Sequence, residues 1–484
     1  MKLKQFLPFC ILSLIILSSC KKDELLTDSS AKLDFSTDSV LFDTVFHFAG
    51  STTKVFRIYN KHDRPLNIAK AYLAGGSGSA YKLNIDGIST TTSMPVLTDI
   101  EILGGDSLYV FVQVYVNPTG SAPVLIRDSI IFETNGNIQD VKLTAIGQDV
   151  YLHKPIPGKF YSITSSFSGL DTTLPSDKPH LMFGYVVVDS ARKVIISAGT
   201  KIYMHNNAVL WVYRDGTLEI NGSVGGGEVT FQGDRLELEY SETPGQWGKI
   251  WFSSLSKNNI VNGAIIKNGG IGIQVDTVAS LTIPTLRLSN TIIKNMSAAA
   301  LYGQGAHIRA VNCVFANCGQ YIAALTLGGK YRFEHCTFAN YWNRDSRTSP
   351  AIAMSNYYIS SSGAYVLRPL DSCYFGNCII YGDISEELGF DSLSIAGNNF
   401  SYKFEYSIVK TTRNTANGVH YNTAYKNFDP GFADVGVNNY KLTPTSVNSI
   451  DKGDVTIGLN VPFDLKNMIR PNGLFPDLGA YEFY

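Results

Sequence analysis

The chain has 484 residues, more than one ordinary hydrophobic core accommodates, so two or more domains are expected. A formal net charge of −1 excludes the broad basic field of a general nucleic-acid binder, though not a local basic patch. With 43 Gly, 27 Tyr, 26 Phe and only 17% charged residues, the composition suits a β-rich globular protein and argues against disorder.

The amino terminus carries the most specific signal. "MKLKQ" is a short basic region, "FLPFCILSLIIL" is an apolar core and "LSSC" closes it. The apolar run is shorter than the ~20 residues a membrane-spanning helix needs. Ser18, Ser19 and Cys20 resemble a bacterial lipobox. The resemblance implies a lipoprotein signal peptide over 1–19 and a mature chain starting at Cys20, whose thiol carries diacylglycerol and joins acyl chains such as palmitate in anchoring to membrane lipid. Each buried methylene contributes ~0.8 kcal/mol, so several chains hold firmly. Lys21 stands where aspartate retains lipoproteins in the inner membrane. The run "KKDE" resembles the export signal of Bacteroidetes-type surface lipoproteins; by charge alone it is equally a solvated tether over 20–32. The expected location is the outer membrane, lipid-anchored and exposed at the cell surface.

Residues 33–150 read as short strands between turn signals. "KVFRIYN" (54–60) alternates, "SLYVFVQVYVN" (107–117) puts Val110, Val112, Val114 and Val116 on one face, and "DSIIFETNGN" (128–137) ends in an Asn-Gly turn. About seven strands in this length suggest an immunoglobulin-like β-sandwich. "RIYNKHDRPLNI" and "VKLTAIGQ" resemble sandwich modules that precede larger domains in bacterial surface proteins, which implies a spacer or interaction role. Residues 151–183 are irregular and read as a linker or first cap.

From 184 onward the strands are four to six residues long, with tight turns and no amphipathic helix between them, which points to a solenoid. "GAIIKN", "NTIIKN", "NCVFAN" and "HCTFAN" align, with their final asparagines 27, 22 and 23 residues apart. One column is small (Ala264, Thr291, Cys313, Cys336). Two residues on it is bulky (Ile266, Ile293, Phe315, Phe338), and two further it is asparagine (Asn268, Asn295, Asn317, Asn340). Residues two apart on a strand share a face, so all three columns are expected to point inward. Such coils resemble the right-handed parallel β-helix of the pectate-lyase-like superfamily, whose stacked amides hydrogen-bond from coil to coil. The expected architecture is all-β: the sandwich, then a right-handed parallel β-helix (a single-stranded solenoid) over 184–426, with 427–484 resembling its C-terminal closing segment.

The five cysteines outside the leader are an odd number, which disfavours a disulfide framework. Cys313 and Cys336 fit the inward small column as buried hydrophobes, whereas either Cys373 or Cys378 continues it. No zinc spacing, phosphate loop or Ser/His/Asp set is present, so no metal is expected. His335 stands where neighbouring coils hold asparagine, and with His307 it reads as a polar rung.

Polyuronate lyases on this fold need a base beside acids that hold calcium, and polygalacturonase-type hydrolases need paired carboxylates. "RDGTLE" (214–219), "GDRLELEY" (233–240) and "NRDSR" (343–347) read as solvated loop charge, so no catalytic residue is assigned. One outward column stands out: Arg287, Arg309 and Arg332, flanked by residues of inward parity. Guanidiniums at the ~4.8 Å spacing of adjacent strands repel, so the column requires interleaved carboxylates, solvent or an anionic ligand. These features favour a non-catalytic, monomeric surface lipoprotein that binds an acidic glycan or another surface component. The alternative is a lyase or hydrolase of acidic polysaccharide, with calcium as cofactor if a lyase and the 341–371 excursion building its site.

Overall fold

The computed structural model describes residues 24–484 apart from 119, 164–170, 278–279, 281 and 460; the leader, Cys20 and the start of the tether lie outside the described residues. Among the described residues no helix is long and apolar enough to cross a membrane. The chain divides into two compact units, 1–149 and 150–484.

The first unit is a β-sandwich of two five-stranded sheets. One orders Asp34–Phe35, Lys54–Tyr59, Ser107–Val114, Tyr81–Ile85 and Ile88–Ser89; the other orders Ser39–Phe46, Asn137–Gln148, Val124–Thr134, Leu66–Leu73 and Val96–Ile102. Pairing is antiparallel except between Asn137–Gln148 and Ser39–Phe46. Val110, Val112, Val114 and Val116 are buried as their alternation requires, and they meet Ile68, Phe132 and Val141 of the facing sheet in one core. Asn135 and Gly136 both take positive φ (50° and 78°), the backbone of a tight two-residue hairpin.

The second unit is a right-handed parallel β-helix. Each coil contributes strands to three faces and pairs in parallel with the coil after it. A first face includes Val209–Val212, Lys249–Phe252 and Ile271–Asp276. A second includes Thr217–Asn221, Asn259–Asn262 and Leu286–Ser289. Both run on through the long strands Ala299–Val311 and Tyr321–Glu334. An 11-stranded sheet forms the third face. Inside, Ile266, Ile293, Phe315 and Phe338 pair rung by rung and are fully buried. The rings of Phe315 and Phe338 stack with centroids 5.0 Å apart. Phe333, Phe375 and Phe404 form a second stack with steps of 5.0 and 4.9 Å. All five described cysteines are buried free thiols. Thr337 pairs with Ile379, so Cys378 continues the column of Cys313 and Cys336, while Cys373 pairs with Tyr331 on the second face.

Three expectations change. The segment 151–183, read as a linker or cap, is already coiled: Tyr151–His153 pairs with His180–Met182, and Asp171–Leu174 with Lys193–Ser197. Its strands are too short for a period to show in the sequence. The asparagine column keeps its register but not its orientation. Asn268, Asn295 and Asn317 occupy left-handed corners (φ 67°, 56° and 48°), a conformation asparagine tolerates, and this breaks the strand alternation. Their amides bind surrounding loops: Asn268 Nδ2 donates to the Ser241 carbonyl at 2.9 Å, and Asn317 Oδ1 accepts from the Tyr440 hydroxyl at 3.1 Å. Asn317 and Asn340 also bond a neighbouring coil's backbone: Asn317 Oδ1 accepts from the Tyr341 amide (3.0 Å), and Asn340 pairs with the backbone of Cys318 (3.1 Å both ways). The coil-to-coil ladder lies one corner earlier, just before the small column. There Asn290 Nδ2 donates to Asn262 Oδ1 (2.9 Å), Asn312 Nδ2 to Asn290 Oδ1 (3.3 Å), and Asn377 meets His335 (3.0 Å).

The loop "NRDSR" is not merely solvated charge. Arg347 is buried, and its guanidinium forks onto Glu387 at 2.7 and 2.8 Å. Finally, 427–484 closes a flank: Tyr440, Leu465 and Ala480 pack on Val314, Ala316 and Ala339 of the third face, and Leu478 on Ile379 and Ile408. Arg470 locks this strap. It donates to Glu482 (2.7 Å) and to Asn312 of the amide ladder (2.8 Å), and both members of the ion pair are buried.

Removing one member of a buried ion pair strands the other charge, at a cost of about 3–5 kcal/mol, whereas an apolar pair of similar volume is often neutral. Glu482→Ala should therefore lower the unfolding midpoint and expose the strap to limited proteolysis. The double variant Arg470→Met/Glu482→Leu should recover most of the loss; equal losses in both would refute the lock.

Candidate functional site

The second face places outward residues between buried ones. Leu286, Leu288, Ile308, Ala310, Tyr331 and Phe333 fill the interior, and between each pair Arg287, Arg309 and Arg332 project to solvent. The coil register stacks them: Arg287 pairs with Arg309 and Arg309 with Arg332. The column continues to Tyr374 and Lys403. Unit charges one rung apart repel by about 1 kcal/mol in bulk water and several-fold more near a protein surface.

Glu334 relieves part of this repulsion. It lies two residues beyond Arg332 on the same strand, fully buried, and each carboxylate oxygen takes one guanidinium: Arg309 at 3.0 Å and Arg332 at 2.7 Å. The Arg332 guanidinium also lies over the Tyr374 ring, 4.2 Å from its centroid. Burial opposes the charge on Arg332, but the Glu334 hydrogen bond and charge outweigh it and hold the guanidinium above its ordinary value. Farther along, Lys403 and the Tyr374 hydroxyl share Glu405 (2.6 and 2.8 Å), so that end of the column is balanced. Arg287 forms no ion pair among the described residues. Three guanidiniums against one carboxylate leave an excess of two positive charges, and Lys330, two residues before Arg332 on the same face, adds another.

His307 and His335 are both held by local hydrogen bonds. His307 is buried against the Ser280 carbonyl (3.3 Å from Nδ1), and burial, only partly offset by that contact, holds its imidazole below the usual value. His335 sits fully buried in the amide ladder, and desolvation pushes it far lower. Three other acids noted in the sequence are matched locally: Glu219 with Lys193 at 2.7 Å, Asp215 with Lys257 at 3.0 Å, and Glu237 with Arg235 at 3.0 Å. Among the described residues no three His, Cys, Asp or Glu side chains converge as a metal site. What the ladder presents is a row of planar, permanently charged donors, partly immobilised by Glu334 and Tyr374, suited to flat anions such as carboxylate or sulfate. Sequence reasoning missed Glu334, although its spacing of two from Arg332 was a usable signal.

Glu334→Gln should cost about 1–3 kcal/mol, because the guanidiniums lose the shared negative charge and one of them faces an amide NH2 in place of its acceptor oxygen. The loss should shrink as added salt screens the exposed repulsion. A salt-independent loss in denaturant unfolding would show that Glu334 acts through packing alone.

A family model described as right handed beta helix region matches residues 185–338. No curated protein matches the chain. Among solved structures, the E. coli chaperone DraB is similar at 9% identity, covering 25% of this chain and 55% of its own, with TM-score 0.17. The chain thus spans little more than half of that chaperone. The PapD-like domain 7 of human CEP192 is 12% identical, with 27% of this chain and 92% of that one covered and TM-score 0.16. XylC, solved with xylose, is 9% identical, with 92% and 89% covered and TM-score 0.33. The family match and the parallel pairing of the coils agree on a right-handed β-helix.

Proposed function

We propose that the β-helix binds an acidic polysaccharide along its second face, through Arg287, Arg309 and Arg332, without catalysing its cleavage. The single observation carrying this reading is the in-register arginine column with one buried carboxylate among three guanidiniums. An anionic polymer running across the rungs would supply the missing counter-charge, and guanidinium–carboxylate or guanidinium–sulfate hydrogen bonds are among the stronger polar contacts. The leader motif supports a setting for this binding: a lipoprotein held by Cys20 in the outer membrane, on the cell surface, where such glycans are encountered.

The test is retention on immobilised polyuronates and sulfated glycans, with neutral glucans as control. Arg287→Gln, which leaves the Glu334 pairs intact, should weaken retention. Arg287→Gln/Arg309→Gln/Arg332→Gln should weaken it by roughly a thousandfold or more, since each charge-assisted contact contributes about 1.5–3 kcal/mol. Unchanged retention of the triple variant would overturn the site. Release of unsaturated products or new reducing ends, with or without calcium, would overturn the non-catalytic reading.

A further inference from the structure

A cavity of about 650 Å3 opens where the two long strands turn from the first face to the second. Register breaks between Gln304 and Ala306 and between Gly329 and Lys330, so backbone that would pair in an unbroken sheet is splayed. Leu327, lining the cavity, holds a left-handed φ of 61°, an uncommon and strained conformation for a bulky residue. The break is nonetheless rigid. The buried Tyr331 hydroxyl donates to the Gly328 carbonyl (3.0 Å) and accepts from the Ala306 amide (3.2 Å). A Cβ at Gly328 would fall 2.2 Å from the Arg368 carbonyl, and one at Gly329 2.5 Å from that of Ala306. The hollow is therefore built into the backbone, and its volume lies in the range of small-ligand pockets.

Its walls combine three chemistries. Lys330 and Arg368 are cations without an ion-pair partner among the described residues. Asp371 and Ser372 offer a carboxylate and a hydroxyl, and Leu327 and Pro369 are apolar. Lys330 and Arg332 are two apart on one strand, so the hollow adjoins the arginine column. A pyranose carrying one anionic substituent matches this set: C–H face on Leu327 and Pro369, hydroxyls on Asp371 and Ser372, anion on Lys330 and Arg368. We propose that the cavity is a subsite for a single acidic sugar unit, a hexuronate or a sulfated hexose, and that it takes the end or a branch of the glycan lying on the ladder. This rests on the proposed glycan-binding function, but it can be tested apart from it.

The experiment is calorimetric or saturation-transfer binding of glucuronate, galacturonate, glucose 6-sulfate and neutral glucose to the full chain. The acidic sugars should bind and glucose should not. Lys330→Gln and Arg368→Gln, both at exposed positions, should each weaken the acidic sugars by roughly tenfold. Ser372→Trp, which fills the hollow, should abolish binding, whereas the triple arginine variant should keep it. Polymer retention with no binding of any acidic monosaccharide would overturn the subsite and leave the ladder standing. Acidic-sugar binding unaffected by Lys330→Gln, Arg368→Gln and Ser372→Trp, or matched by glucose, would also overturn it. Loss of polymer retention alone in the triple variant, with monosaccharide binding preserved, would support the two sites as separate.

Discussion

Parallel backbone pairing between successive coils is the constraint on which the second unit depends. Each strand is held one rung from the next, so any residue type recurring at the coil period becomes a physical column. Inward columns fill with Ile, Phe, Cys and Ala, and their burial, at about 1.5–3 kcal/mol for each large side chain, holds the coil closed. Outward columns inherit the same register whether or not it suits them. Arginines are thus stacked at a spacing that electrostatics alone would not choose, and Glu334 is buried beneath them as partial compensation.

The corners and the strap are needed to keep that register. Left-handed residues, mostly Asn with His335 and Tyr406 among them, turn the chain at the junctions between faces, and the amides before the small column are shared between coils. Arg470 reaches from the strap to Asn312 within that ladder, so the carboxyl-terminal segment fastens a corner as well as covering the third face. The sites proposed for ligand lie on the second face and at its junction with the first, where the outward residues stay exposed.

The sequence disclosed whatever follows a simple period. The alternation in "VNCVFAN" and its neighbours reveals the coil length, the inward Cys313 and Phe315 columns and, counting back four, the outward arginines; the pairing agrees on every rung. Features set by local backbone or by distant partners stayed hidden. A left-handed Asn reverses the parity that the alternation assumes, so Asn268, Asn295 and Asn317 were expected to face inward. Arg347 looked like loop charge because Glu387 lies 40 residues away. The cavity depends on bulges in two long strands, and Lys330, Arg368 and Asp371 meet there only after the excursion folds back.

Uncompensated guanidinium charge on the second face is what we propose recruits an anionic glycan. The most direct measurement is the affinity of the unaltered protein for a sulfated or uronate polysaccharide across a salt series. Affinity should fall steeply and linearly on logarithmic axes, with a slope of roughly two to three, close to one released counterion for each arginine. An affinity indifferent to salt, or equal affinity for a neutral glucan, would contradict the account.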